Sequence, residues 1–96
     1  MTSRAKLTDE AIAAFLAAHP GWERDGEALA RTYAFAGYAD GIAFVVRLGF
    51  AAEARDHHPD LHVGYRRVRV LLTTHDAGGI TALDAEMAER ADALAP

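Results

Sequence analysis

The sequence has no cysteine, and its only serine is Ser3, in the stretch ahead of the first predicted helix. The first absence excludes disulfides and thiolate metal sites. Together the two leave no evident nucleophile for a covalent mechanism. Long apolar runs are missing too: nothing approaches the ~18 residues of a membrane span. The opening MTSRAKLTDEAIAAFL lacks the apolar core and cleavage site of a signal peptide. Basic charge is scarce, with 10 Lys and Arg against 14 Asp and Glu and a formal net charge of −4. That balance is the opposite of a nucleic-acid footprint. The one basic cluster, Arg66, Arg67 and Arg69, is short and reads as a solvated turn and strand face. No GxGxxG or P-loop is present, and Ala77-Gly78-Gly79 is too short for a phosphate cradle. Half of the residues are apolar, many of them alanine, which favours close-packed helices over a bulky core. A soluble, cytoplasmic, single domain spanning 1–96 is expected, with no nucleic-acid or membrane partner.

Thr8, followed by Asp9 and Glu10, predicts the cap and first turn of a helix with Ile12, Phe15 and Leu16 on one face. His19-Pro20-Gly21 ends it, so His19 is expected at the negative end of the helix dipole rather than in a catalytic role. Trp22 opens a strand, Asp25-Gly26 predicts a two-residue type I′ hairpin, and Leu29, Tyr33 and Phe35 share one face of the return strand. Tyr38–Arg55 reads as a central helix, apolar on two sides: Ile42, Val45, Val46 and Gly49 on one, Phe44, Leu48 and Ala51 on the other. Such a helix is expected between a sheet and a second layer, such as a partner subunit, with close packing at Gly49. A short strand is expected at 63–65, a turn near Arg66-Arg67, and a second strand with Val68, Val70 and Leu72 on one face. Thr81 and Asp84 form a T-x-x-D capping box for a last helix, whose core stripe is Leu83, Met87, Ala88, Ala91 and Leu94.

The order α-β-β-α-β-β-α predicts an α+β two-layer sandwich: a four-stranded, mainly antiparallel sheet with three helices packed on one face. A groove is expected on the opposite face, closed by two loops that carry histidines. Asp56–His62 reads DHHPDLH, and His75 stands in TTHDAGG, so four of the five histidines fall in these two stretches. A polar loop would place such residues in solvent by default. Pro59, however, stiffens His57-His58, and His75 lies at a strand-end loop, a usual place for functional groups on a rigid scaffold.

Two chemistries fit this donor set. His57, His58, His62, His75, Asp56, Asp60 and Asp76 could ligate a metal, but their spacing matches no standard zinc pattern and HExxH is absent. Acid–base catalysis is the other: imidazole offers both protonation states at neutral pH, and Glu53, Asp56 and Asp76 could orient the rings.

The stretch EARDHHPDLHVGYRRVRVLLTTHDAGGITALDAEMA resembles the signature region of the pterin-4a-carbinolamine dehydratases. PGW at 20–22, RTYAF at 31–35 and AFVVRLGFAAEA at 43–54 fit as well, and the resemblance runs from about Leu7 to Leu94. It implies the fold read above and the loss of water from 4a-hydroxytetrahydrobiopterin to give quinonoid dihydropterin, with neither metal nor organic cofactor. It also implies His57 and His75 as the acid/base pair and His58 as a catalytic-site group that positions substrate. Glu53 and Asp56 match acidic positions before the pair, Pro59 completes the HHP motif, and Thr73, Thr74 and Asp76 match the segment that contacts the pterin. Implied partners are the small-molecule pterin, further copies of the chain in a homodimer or homotetramer, and a functional link to an aromatic amino-acid hydroxylase. Leu61 stands where animal members often carry tryptophan, which would remove an aromatic edge from the groove. A non-catalytic interaction module on the same fold is the competing expectation.

Overall fold

The computed structural model describes residues 4–96; Ser3 lies outside them. Three helices, α1 (Asp9–Ala18), α2 (Tyr38–Arg55) and α3 (Ala82–Leu94), accompany four strands, β1 (Glu23–Asp25), β2 (Ala28–Ala34), β3 (Asp60–Val63) and β4 (Arg67–Leu72). The sheet runs β1-β2-β4-β3, and every neighbouring pair is antiparallel. The expected α+β sandwich is therefore what the chain forms.

Alternation decides which face is covered. Leu29, Tyr33 and Phe35 in and after β2, with Val68, Val70 and Leu72 on β4, form one buried layer with Ile12 of α1, Phe44 and Leu48 of α2, and Met87 of α3. Side chains such as Phe44 and Leu48, fully buried here, contribute about 1.5–3 kcal/mol each. Among the described residues the other face of the sheet carries no helix. Arg69 lies across it, bonded to Glu23, Asp25 and Thr32.

Thr8 caps α1 by accepting from the Ala11 N–H, and Thr81 with Asp84 completes the capping box of α3. Three local expectations shift. The first hairpin turn is Gly26-Glu27, since Asp25 still pairs with Ala28, and only Gly26 has positive φ (60°). That sign pattern is type II′, which asks for glycine at the first turn position only. The third strand starts at Asp60, three residues early, because Pro59 already extends the chain and Tyr65-Arg66 is the turn. On α2 the glycine against the sheet is Gly41, where an added Cβ would lie 3.4 Å from Phe35; Gly49 faces open space.

No helix among the described residues is long and apolar enough to cross a membrane.

Candidate active site

The end of α2 sets the first wall of the site. Asp56 takes the left-handed conformation (φ 51°, ψ 43°), and its N–H bonds back to Ala52 and Glu53 carbonyls. Asp is among the few non-glycine residues that tolerate this region. The turn also lets the His57 N–H reach the Ala52 carbonyl at 3.1 Å, which tucks His57 against the helix end and leaves His58 outside. His57 is 7% exposed; His58 is exposed, with its Nε2 on Glu53 Oε1 at 2.7 Å.

The second wall comes from β4. Leu72 is its last paired residue, and Thr73, Thr74 and a single 3-10 turn, His75–Ala77, follow. Gly79 returns to Thr74 in an isolated bridge, closing the turn. The two walls meet. Asp56, His57 and His58 face Thr73, Thr74, His75 and Asp76 across a cleft of about 300 Å³, with Arg4 on its rim. Of the residues singled out from the sequence, Glu53 touches the site only through His58, and Pro59 does not line the cleft.

The cleft lies at the end of the sheet, not over its open face, for no strand residue lines it. His62 is across from Arg69 on the open side, away from the other histidines. Leu61 packs against the core on the helix side, so the tryptophan-to-leucine difference bears on packing rather than on the cleft wall. Among the described residues no group of three or more His, Asp or Glu side chains is placed to hold a metal ion.

A polar network stands behind His57. Its Nε2 donates to Asp84 Oδ1 at 2.6 Å. Asp84 is fully buried, and its Oδ2 accepts from Thr74 Oγ1 and from the Thr81 N–H, both at 2.8 Å. Thr81 Oγ1 lies 2.8 Å from Thr74 Oγ1. A carboxylate only accepts, so the protons are assigned: Thr74 gives its hydroxyl hydrogen to Asp84, Thr81 gives its own to Thr74, and His57 keeps a hydrogen on Nε2. The ring's other nitrogen, Nδ1, is then the one that can bind or release a proton. No buried side-chain nitrogen or oxygen among the described residues lacks a partner. Asp84 is thus a site residue that the sequence offered only as a helix cap. Arg4 gave no signal at all.

An imidazole whose tautomer is set by a buried carboxylate, a second imidazole on the facing wall and the hydroxyl and carboxylate side chains lining the same cleft are groups able to exchange protons with a small polar molecule. The fold around it is that of a known class. The chain matches the family described as pterin 4 alpha carbinolamine dehydratase over residues 5–94, and it belongs to that family. A protein of Thermomicrobium roseum named "Putative pterin-4-alpha-carbinolamine dehydratase" is 50% identical over 91 residues, covering 95% of this chain and 98% of its own. One of the same name from Natronomonas pharaonis is 49% identical over 94% of this chain and 96% of its own. Among solved structures, a transcriptional coactivator/pterin dehydratase from Brucella melitensis superposes with a TM-score of 0.90 at 34% identity, over 95% of this chain and 99% of that one. A pterin dehydratase-like protein described as a RuBisCO assembly factor in the alpha-carboxysome gives 0.68 at 30% identity, over 80% and 92%.

Proposed function

We propose that this chain, as a single domain over 1–96, dehydrates 4a-hydroxytetrahydrobiopterin to quinonoid dihydropterin and so supports tetrahydropterin recycling in the cytoplasm. The observation that carries the reading is the convergence of His57, His58 and His75 from two separate segments on one cleft. Family membership supplies the reaction.

The C4a hydroxyl leaves poorly until it is protonated. One imidazolium delivers that proton, electrons from the ring nitrogens expel water, and a neutral imidazole accepts the proton lost by the ring. Carbon and nitrogen keep their oxidation states, so the chemistry asks only for proton carriers. His57 and His75 are the acid/base pair, acting through Nδ1 in the case of His57. His58, held by Glu53, positions substrate, and Asp56, Thr73, Thr74 and Asp76 offer polar contacts to the pterin, while Pro59 restricts the backbone of His58 before it. The substrate is supplied by a pterin-consuming oxygenation such as that of an aromatic amino-acid hydroxylase. Homodimers or homotetramers complete the reading.

The test follows the decay of enzymatically generated 4a-hydroxytetrahydropterin in stopped flow, with and without the protein. Acceleration is expected, with His57→Ala and His75→Ala each slower by about 10-fold or more while circular dichroism is retained. Unchanged rates in both variants would remove the site.

A second reading, a non-catalytic interaction module, is favoured by one finding: a fold relative is described as a RuBisCO assembly factor. Under it, the protein would fold normally, capture a protein partner and leave the decay rate untouched.

A further inference from the structure

The N-terminal segment that precedes α1 crosses the molecule to reach the cleft. Lys6 bridges Thr81 in antiparallel fashion, and the Leu7 N–H donates to the Ile80 carbonyl at 2.8 Å. This anchor docks the segment beside the chain that leaves the His75 turn. It places Arg4 against the turn itself, with Nη1 3.3 Å from both carboxylate oxygens of Asp76.

His75 needs such support. The turn that carries it is three residues long, and its backbone bonds all run within residues 74–79. The imidazole is exposed and, among the described residues, has no hydrogen-bond or ionic partner. His57 is different: it is locked by a buried carboxylate. On the facing wall Thr74 is buried and bonded to the same Asp84, so it is the exposed His75 ring beyond it that depends on how the turn is held.

We propose that Arg4 is a positioning residue for His75, acting through Asp76, so that the segment 4–7 brackets the catalytic turn between its anchor at Ile80-Thr81 and its clamp on Asp76. This assignment deepens the dehydratase reading above and rests on it for the role of His75. The Arg4 and Asp76 side chains are 54% and 70% exposed. Their pair is therefore a weak, salt-sensitive clamp, holding the turn without adding to the stability of the fold.

The test has two independent arms. In the first, the dehydration is measured for the parent, Arg4→Ala, Arg4→Lys, Asp76→Ala and the double variant, at about 0.05 M and about 1 M salt, where the Debye length falls to about 3 Å. Arg4→Ala is expected to lower kcat about fivefold at low salt, the rate equivalent of one exposed ion pair, with KM changed less than about twofold. Arg4→Lys should recover most of the loss, high salt should erase the difference, and Arg4→Ala should have no further effect once Asp76 is alanine. Equal kcat in Arg4→Ala, or losses that multiply in the double variant, would overturn the proposal. The second arm reads the histidine ring resonances by NMR without substrate. Arg4→Ala should move those of His75 and leave those of His57 in place. Unmoved His75 signals would overturn it. An inactive parent protein would refute the dehydratase reading, and the NMR arm would still decide whether Arg4 holds the turn.

Discussion

A histidine that carries protons must present a defined nitrogen, and at His57 that definition comes from Asp84. Its carboxylate takes three hydrogen bonds in the core: one from His57, one from the Thr74 hydroxyl and one from the Thr81 N–H. Removing one side of such a buried pair typically costs about 3–5 kcal/mol, so Asp84→Ala tests little beyond folding. Asp84→Asn is the informative change. The amide can keep its oxygen toward Thr74 and Thr81, which turns its NH2 toward His57. The ring nitrogen facing an N–H donor must then accept, so the neutral ring moves its hydrogen to Nδ1 and loses the lone pair that the proposed reaction would use. We expect Asp84→Asn to fold and to lose dehydration by about 10²-fold or more, the scale of a general acid–base contribution. A proton–nitrogen NMR correlation of the His57 ring should report the exchanged tautomer. A variant with near-parent kcat and the parent tautomer would contradict this role. Thr81-x-x-Asp84 was readable as a capping box, and it is one. Its second duty was hidden because a cap satisfies only one oxygen locally, and the partner of the other lies 27 positions away at His57.

Elements with a strong period were legible to the residue, and those set by pairing were not. The limits of α2 could be read from Tyr38 to Arg55, because its buried face (Gly41, Phe44, Leu48, Ala52) repeats every three to four residues and polar groups end it. β3 could not be placed as well: Asp60–Val63 is only four residues long, and its register is fixed by β4, not by its own composition. Convergence of the two histidine segments was inferable from topology, since one leaves α2 and the other leaves β4, which packs beneath it. Arg4 was invisible, because its place depends on the Lys6–Thr81 bridge.

The junction of α1 and α3 yields a pH prediction. His19 Nδ1 donates to the Phe15 carbonyl at 2.8 Å and Nε2 to Glu89 at 3.0 Å, while the ring stacks on Phe15. Both partners only accept, so both bonds together require the imidazolium. The His19 pKa is accordingly raised, chiefly by the Phe15 carbonyl, against the pull of partial burial and with help from Glu89 and Asp92. A raised folded-state pKa adds stability that is fully present below the unfolded value, about 6.5, and is lost as pH rises through the folded one. The urea midpoint of the parent should therefore exceed that of His19→Ala by more at about pH 6 than at about pH 8.5. A gap independent of pH would mean that only the ring's packing matters. Activity per folded molecule should not change, since His19 does not line the cleft.

At the scale of the whole molecule the uncovered surface is the informative one. Tyr38, Ile42, Val46 and Phe50 recur every four residues along α2, and Tyr38, Val46 and Phe50 are 53%, 50% and 74% exposed. Gly49, beside Phe50, leaves open space where a side chain would stand. The opposite side of the same helix is sealed by the sheet and α3, so the two-sided apolar pattern has one side satisfied within the chain and the other exposed. Further copies of the chain are the occupants named in the proposed function, and a symmetric pair would set Phe50 of one helix against the gap at Gly49 of the other. Sedimentation equilibrium at micromolar concentration should then give a multiple of the 10.3 kDa chain mass. Val46→Asp/Phe50→Asp should shift the particle toward the single chain while leaving circular dichroism intact, since both side chains are exposed and outside the core cluster. The cleft lies at the end of the sheet and is lined by none of these residues, so the dissociated variant should retain dehydration within about threefold. A parent protein already at the chain mass, or a double aspartate variant of unchanged size, would mean that this ridge is not where copies meet.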